Sequence, residues 1–290
     1  MADALLAIAV SALVLGSLYS LLASGLSLIW STLGVFNYAH GAMLVVGAYL
    51  IWALSAQVGL PVLVAFIAAV PLLAVFGILL EFVAVRPLLQ RHNGTLLVMV
   101  STLAVASMVE GAAQLVFGPQ NRQIAPVSDV VFRLGSIPLA ATSVIGFGLA
   151  MVLILGLMVI LKRTEWGASI RAVEQNRQMA LLVGIQPKRV YAAVFIIAAV
   201  LAAAAALIYG TTTTITPAKG FAPLLTAFVV LVFGGSTSLL GTIIGAFTIG
   251  VLEASTTYFF GLQWSPVVVF IVLVVVMLVK PEGLIKGRTA

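Results

Sequence analysis

From Ala4 to Leu80 the chain contains no Lys, Arg, Asp or Glu, and His40 is the only ionisable side chain in that stretch apart from tyrosines. A helix needs about 20 apolar residues to cross the ~30 Å hydrocarbon core of a bilayer, so this stretch holds about three crossings. No soluble fold hydrates its surface with so little charge. Charged side chains make up 8% of the 290 residues and apolar ones 63%, whereas an ordinary soluble domain carries roughly a quarter charged residues. The opening run, Ala4 to Trp30, lacks a basic start and exceeds the short core of a secretion signal, so it is expected to remain as a span.

Apolar runs predict helices near 4–30, 38–56, 61–83, 95–117, 141–161, 190–210, 222–235, 239–259 and 264–279. The second, seventh and eighth are interrupted by glycine, which leaves a count of eight or nine open. The expectation is an all-α integral membrane protein: a polytopic bundle of eight or nine transmembrane segments, some glycine-broken, forming a single membrane domain over residues 1–290. Basic residues cluster in three places: Arg86 and Arg91; Lys162, Arg163, Arg171, Arg177, Lys188 and Arg189; and Lys280, Lys286 and Arg288. Placing these three regions in the cytoplasm puts eleven of the fourteen basic residues inside and leaves only Arg122, Arg133 and Lys219 outside, the asymmetry that membrane insertion favours. Nine crossings then put the N-terminus outside and the C-terminus inside. The net charge of +6 reads the same way, as positive-inside bias rather than a nucleic-acid surface. The outer connection at 118–138, with Pro119, Pro126 and Pro138, reads as an irregular cap.

Several chemistries are excluded. There are no cysteines, hence no disulfide, thiol catalysis or thiolate-bound metal. The two histidines lie in distant segments without metal spacing. No phosphate-cradling Gly-x-x-x-x-Gly-Lys-Ser/Thr loop occurs, since Gly234-Gly235-Ser236-Thr237 lacks the lysine. The chain is therefore not expected to be an enzyme, nor to carry a cofactor or metal of its own.

The inner loop 162–189 is the longest basic connection. From Gly167 to Val183 its pattern is helical, with Ile170, Val173, Ala180 and Leu181 as apolar positions and Arg171, Glu174, Gln175 and Arg177 as polar ones. Gly184 and Pro187 end it. Such a helix either lies among lipid headgroups or docks a partner. Two other places carry polar groups where hydrocarbon penalises them. Asn37 and His40, beside Gly34, Gly41 and Gly47, form either a solute pathway through a broken helix or a plain helix–helix contact. Glu110 and Glu253 lie inside spans, where each could hold a substrate ammonium, relay a proton or pair internally.

Four stretches resemble the LivH-type permeases of branched-chain amino acid ABC importers. The first is Gly34-Val35, Asn37-Tyr38-Ala39-His40-Gly41. The second runs from Gly167 to Asn176 and continues to Ala180 and Gly184-Ile185. The third comprises Ala227-Phe228, Gly234-Gly235, Ser238, Gly241, Gly245, Gly250 and Leu252-Glu253, where Leu239-Leu240-Gly241 replaces the family's Ile-Pro-Gly. The last is Lys280-Pro281-Glu282-Gly283-Leu284.

The resemblance implies a permease working by alternating access. Its partners would be two ATPase subunits that carry ATP and Mg, a second permease subunit, identical or related, and an extracytoplasmic solute-binding protein, in the inner membrane of a bacterium. It implies that the 162–189 loop is the coupling helix, with Arg171, Ala172, Gln175, Asn176, Ala180 and Gly184 at or near the ATPase. Asn37, His40, Gly41, Glu110, Gly234, Gly235 and Glu253 are the candidate pathway or gate residues. The alternative is a proton- or cation-coupled carrier or channel built on Glu110 and Glu253.

Overall fold

The structure is a computed structural model and describes residues 2–134, 137–236, 238–280 and 283–285. Thr237, Pro281, Glu282, Lys286 and Arg288, which enter the motifs and charge pattern above, lie outside the described residues.

Among the described residues nine helices are long and apolar enough to cross a membrane, which resolves the count of eight or nine in favour of nine. Their α-helical parts are α1 (Ala2–Leu33), α2 (Ala39–Trp52), α3 (Val62–Leu80), α4 (Gly94–Phe117), α5 (Ala141–Arg163), α8 (Pro187–Thr212), α9 (Phe221–Gly234), α10 (Leu239–Phe260) and α11 (Ser265–Val279), with α2, α3, α9 and α11 lengthened by an adjoining π or 3-10 turn. The loop before α8 holds two short helices, α6 (Glu165–Gln175) and α7 (Arg177–Leu182). The chain is a polytopic all-α membrane protein.

Helix association in lipid rests on close packing, because the tails outside are as apolar as the core. The sequence meets this with small residues on α8. Ala202 to Ala206 are all fully buried, and α8 is the most enclosed span. α1 lies against it and packs still more extensively on α10. α2 and α3 cover another side of α8, α4 leans on α2, and α4, α5 and α11 turn most of their surface outward. The breaks fall between helices, at Gly34 (φ 69°) and Gly235 (φ 104°). Gly41, Gly241, Gly245 and Gly250 sit inside continuous helices instead.

The two ends of the bundle differ. At one, the Arg86 guanidinium reaches the Lys188 carbonyl at 3.4 Å, joining two of the basic clusters. Here α3 ends in a wide π turn, Glu81–Val85, whose slower winding brings residues five apart onto one face. Glu81, fully buried, accepts two bonds from Arg86 at 2.9 and 2.6 Å. At the opposite end Arg122 pairs its backbone with Ile215 and stacks its guanidinium 4.7 Å over Trp52. The segment expected to be an irregular cap contains a hairpin, β1 (Val131–Leu134) with β2 (Ile137–Ala140), antiparallel and in register Val131 to Ala140. Its period-two pattern is too short to stand out between prolines.

Candidate functional site

α2 does not start at the basic end of the bundle. The chain turns at Gly34, runs back inward, and α2 begins among other helices, so its first N–H groups need partners inside the protein. Asn37 supplies two: its Oδ1 accepts from Ala39 N–H at 3.1 Å and its backbone carbonyl from His40 N–H at 3.2 Å. Thr102 of α4 accepts from Tyr38 N–H at 3.2 Å. His40 is fully buried, with Nε2 3.0 Å from the Leu22 carbonyl of α1. That geometry requires the proton on Nε2. His40 Nδ1 and Asn37 Nδ2 are buried without a partner among the described residues.

One turn further, Gly41 meets Gly220, the last residue of a 3-10 turn (Pro217–Gly220) that leads into α9. A Cβ on Gly41 would lie 2.5 Å from the Gly220 carbonyl oxygen, and one on Gly220 would lie 2.7 Å from that of Gly41. Only glycine at both positions lets these backbones touch. Beside this crossing lies a groove of about 130 Å³ between α2, α4 and the 217–221 turn, lined by Tyr38, Gly41, Val45, Ser107, Glu110 and Phe221 among others. Glu110 is half-buried there.

Of the seven predicted pathway residues, only Gly41 and Glu110 line this groove. Asn37 and His40 lie behind it and position the start of α2. Gly234 and Gly235 are elsewhere, in the turn between α9 and α10. There Gly234 is in backbone contact with Gly241, and the carbonyls of Phe233 and Gly234 accept from Leu284 and Ile285 N–H at 2.8 and 3.2 Å. The reason is positional: α9 is a short helix whose end, not its start, carries the glycine pair. Glu253 accepts from the Tyr19 hydroxyl at 2.8 Å, tying α10 to α1. Glu110 and Glu253 thus belong to separate surroundings and form no joint cation site.

At the basic end α6 crosses the ends of α1, α5 and α8. Thr164 caps it, accepting from Gly167 N–H at 3.1 Å, and Ile170 and Val173 are buried beneath it. The single helix expected over 167–183 is two helices, because Asn176 competes with the backbone for donors. Its Oδ1 accepts from Gln178 and Met179 N–H, both at 3.0 Å. Gly184 closes α7 at φ 86°, with Ile185 N–H reaching back to the Ala180 carbonyl at 3.0 Å.

Arg171, Gln175, Asn176 and Gly184 are exposed, as a contact surface requires, and Ala172 is half-covered. Ala180, by contrast, is 2% exposed and faces the bundle. The outward face of α7 is instead Met179, Leu181, Leu182 and Val183, with Leu182 80% exposed. Leu181, read from the sequence as part of the apolar inner stripe, points outward because the break at Asn176 rotates α7 relative to α6. Partial burial pushes the Glu174 carboxyl above its ordinary range, offset in part by the Ser31 hydroxyl and the Arg171 guanidinium.

Residues 8–277 match the family model described as "Branched-chain amino acid transport system / permease component". The chain belongs to this family. It is similar to the high-affinity branched-chain amino acid permease protein BraD of Pseudomonas aeruginosa, 30% identical over 96% of this chain and 94% of the relative. It is also similar to LivH of Salmonella typhimurium, 28% identical over 94% and 92%, and to a probable LivH of Methanocaldococcus jannaschii, 28% over 94% and 90%. No solved structure matched. The relatives are transport permeases, and this family member is a multi-pass membrane transport protein.

Reading the sequence missed three features of this permease. The buried Glu81–Arg86 pair was masked by its spacing of five, which an α-helix would not bring together. The Tyr19–Glu253 bond spans 234 residues and has no local signal. The exposed face of α7 was legible only as an apolar run, without its direction.

Proposed function

We propose that the chain is the membrane-spanning subunit of an ATP-driven importer that moves branched-chain amino acids, or a chemically close small solute, inward by alternating access. The observation that carries this reading is family membership over nearly the whole chain, joined to a loop that leaves apolar side chains uncovered at the basic end. Met179, Leu182 and Val183 are exposed on a loop that also carries Arg171 and Arg177, and uncovered apolar side chains on a basic loop suit a protein partner. The partners are two ATPase subunits holding ATP and Mg, which dock at α6 and α7, a second permease subunit, and a solute-binding protein on the opposite face. No nucleic acid is involved. The basic end faces the cytoplasm, and the membrane is the inner membrane of a bacterium.

The groove beside Gly41 is the pathway segment of this subunit. Glu110 receives the solute's ammonium, and the positive ends of α2 and α9, which converge at Gly41 and Gly220, favour its carboxylate. A push on α6 reaches the groove through α1, whose Leu22 carbonyl holds His40 at the start of α2. His40 is thus a positioning residue and touches no solute.

Reconstituted uptake should require ATP, the ATPases and the binding protein together. Uptake by the isolated chain driven by a proton or sodium gradient would sink the importer reading. Within the working importer, Glu110→Gln should raise KM for uptake while leaving thermal stability within about 0.5 kcal/mol, as a half-exposed surface change does.

A further inference from the structure

A second cavity, of about 530 Å³, opens at the basic end between α1, α5, α6 and the start of α10. It shares no lining residue with the groove at Glu110. Its wall on α1 is polar: Ser24, Ser27 and Ser31, spaced three and four apart, fall on one helix face in a line about 10 Å long. Ser27 donates to the Ser236 carbonyl at 3.4 Å and Ser31 to that of Leu28 at 3.4 Å. Ser24, deepest of the three, is fully buried, lines the cavity and has no hydrogen-bond partner among the described residues.

The mouth carries charges of both signs. Glu174 and Arg171 come from α6 and Lys162 from the end of α5. Arg171 and Glu174 are close enough to influence one another, yet they form no ion pair within 4.0 Å among the described residues. An anion and a cation therefore stand side by side, neither neutralised by direct contact. The remaining wall is aliphatic, with Leu28, Met158, Leu161, Leu239 and Ile285.

We propose that this cavity binds the transported amino acid from the cytoplasmic side and thereby restrains further uptake. The proposal rests on the importer reading above. The ligand's ammonium pairs with Glu174 and Ser31, its carboxylate with Arg171 and Lys162, and its branched side chain with Met158, Leu161 and Leu239. A phospholipid fits less well: Glu174 repels its phosphate, and an acyl chain leaves the serine face unpaired. The bound amino acid bridges α6 to α1 and α10, so it stabilises the arrangement in which α6 is seated on the bundle. A ligand shifts such an equilibrium by its difference in affinity for the two states, here against the displacement of α6 that the ATPases drive.

The test uses the whole importer in proteoliposomes, with binding protein outside and ATP inside. Raising leucine inside to millimolar concentrations should cut the initial uptake rate severalfold. The permease–ATPase complex without binding protein should bind radiolabelled leucine, but not N-acetylleucine or leucinamide. Glu174→Gln and the cavity-filling Met158→Trp should keep uptake into leucine-free vesicles and escape the inhibition. Should Met158→Trp fail to fold, Glu174→Gln decides alone. Normal uptake with neither inhibition nor binding overturns the proposal and leaves the importer reading intact, whereas no ATP-dependent uptake even into leucine-free vesicles defeats the importer reading itself. Inhibition that persists in the variants places the site elsewhere and overturns the proposal. So does a co-purifying phospholipid that leucine cannot displace and that Met158→Trp removes.

Discussion

The start of α2 and the tip of α7 invert each other. At the first, polar side chains, Asn37 and His40, are fully buried in a membrane bundle; at the second, apolar ones, Leu182 and Val183, are uncovered. Each violates the usual preference, and each violation has a different cause. Asn37 and His40 are buried because a helix that begins inside the protein leaves donors that only internal acceptors can satisfy. Leu182 and Val183 are exposed because the break at Asn176 turns α7 away from the bundle, which leaves them to lipid headgroups or to the ATPase proposed above. The buried polar residues hold the fold, and the exposed apolar ones are where the proposed ATPase contact can be tested.

Substitutions break or sharpen that contrast. The largest effect is expected at the crossing of α2 with the 217–220 turn. Gly41→Val places carbon against the Gly220 backbone, which cannot yield as a side chain would, and should abolish a monodisperse permease on size-exclusion chromatography. If Gly41→Val instead gives stable, active protein, the two backbones are not in contact and the groove is wrongly drawn. Next is the double change Leu182→Asp with Val183→Asp, which should lower ATP-driven uptake more than about tenfold, the scale of a lost interface hot spot. Its melting temperature should not move, and ATPase co-purification should fail. Uptake and co-purification that survive the double change would make α7 a passive headgroup helix.

His40→Leu has the opposite signature. Losing the bond to Leu22 removes the carbonyl's second donor beside its helical one and should cost about 1 kcal/mol, read as a lower melting temperature with ATPase binding intact. The smallest effect is expected from Asn176→Ala. It removes the cap of α7 at about 1 kcal/mol and should loosen the α6–α7 angle, detectable as faster amide exchange at Gln178 and Met179. Exchange unchanged there would mean that the angle is set by the Arg177 stack on Tyr191 (5.7 Å) rather than by the cap.

The position of every span was legible in the sequence, because hydrocarbon tolerates so little charge that the runs announce themselves. So were the stop at Gly184 and the polar anomaly at Asn37 and His40. The assignment of those two residues to a pathway was not: sequence shows that a buried polar group needs a reason, but a hydrogen bond to Leu22 and a solute are equal reasons until the partner is seen. The surroundings of Glu253 and Ala180 were illegible for the same cause, since they come from segments far away along the chain.

What the sequence determined alone is the number of crossings, within one, and the end that carries positive charge. Both follow from the cost of moving charge into lipid, a local property of each segment. Which face of each helix turns inward was decided only in the tertiary structure. In water the apolar face of a helix points to the core, but in a bilayer the core and the surroundings are equally apolar, so the pattern carries no direction. Direction comes from contacts that no window of sequence contains: Gly41 against Gly220, Tyr19 on Glu253, and Ser27 on the Ser236 carbonyl.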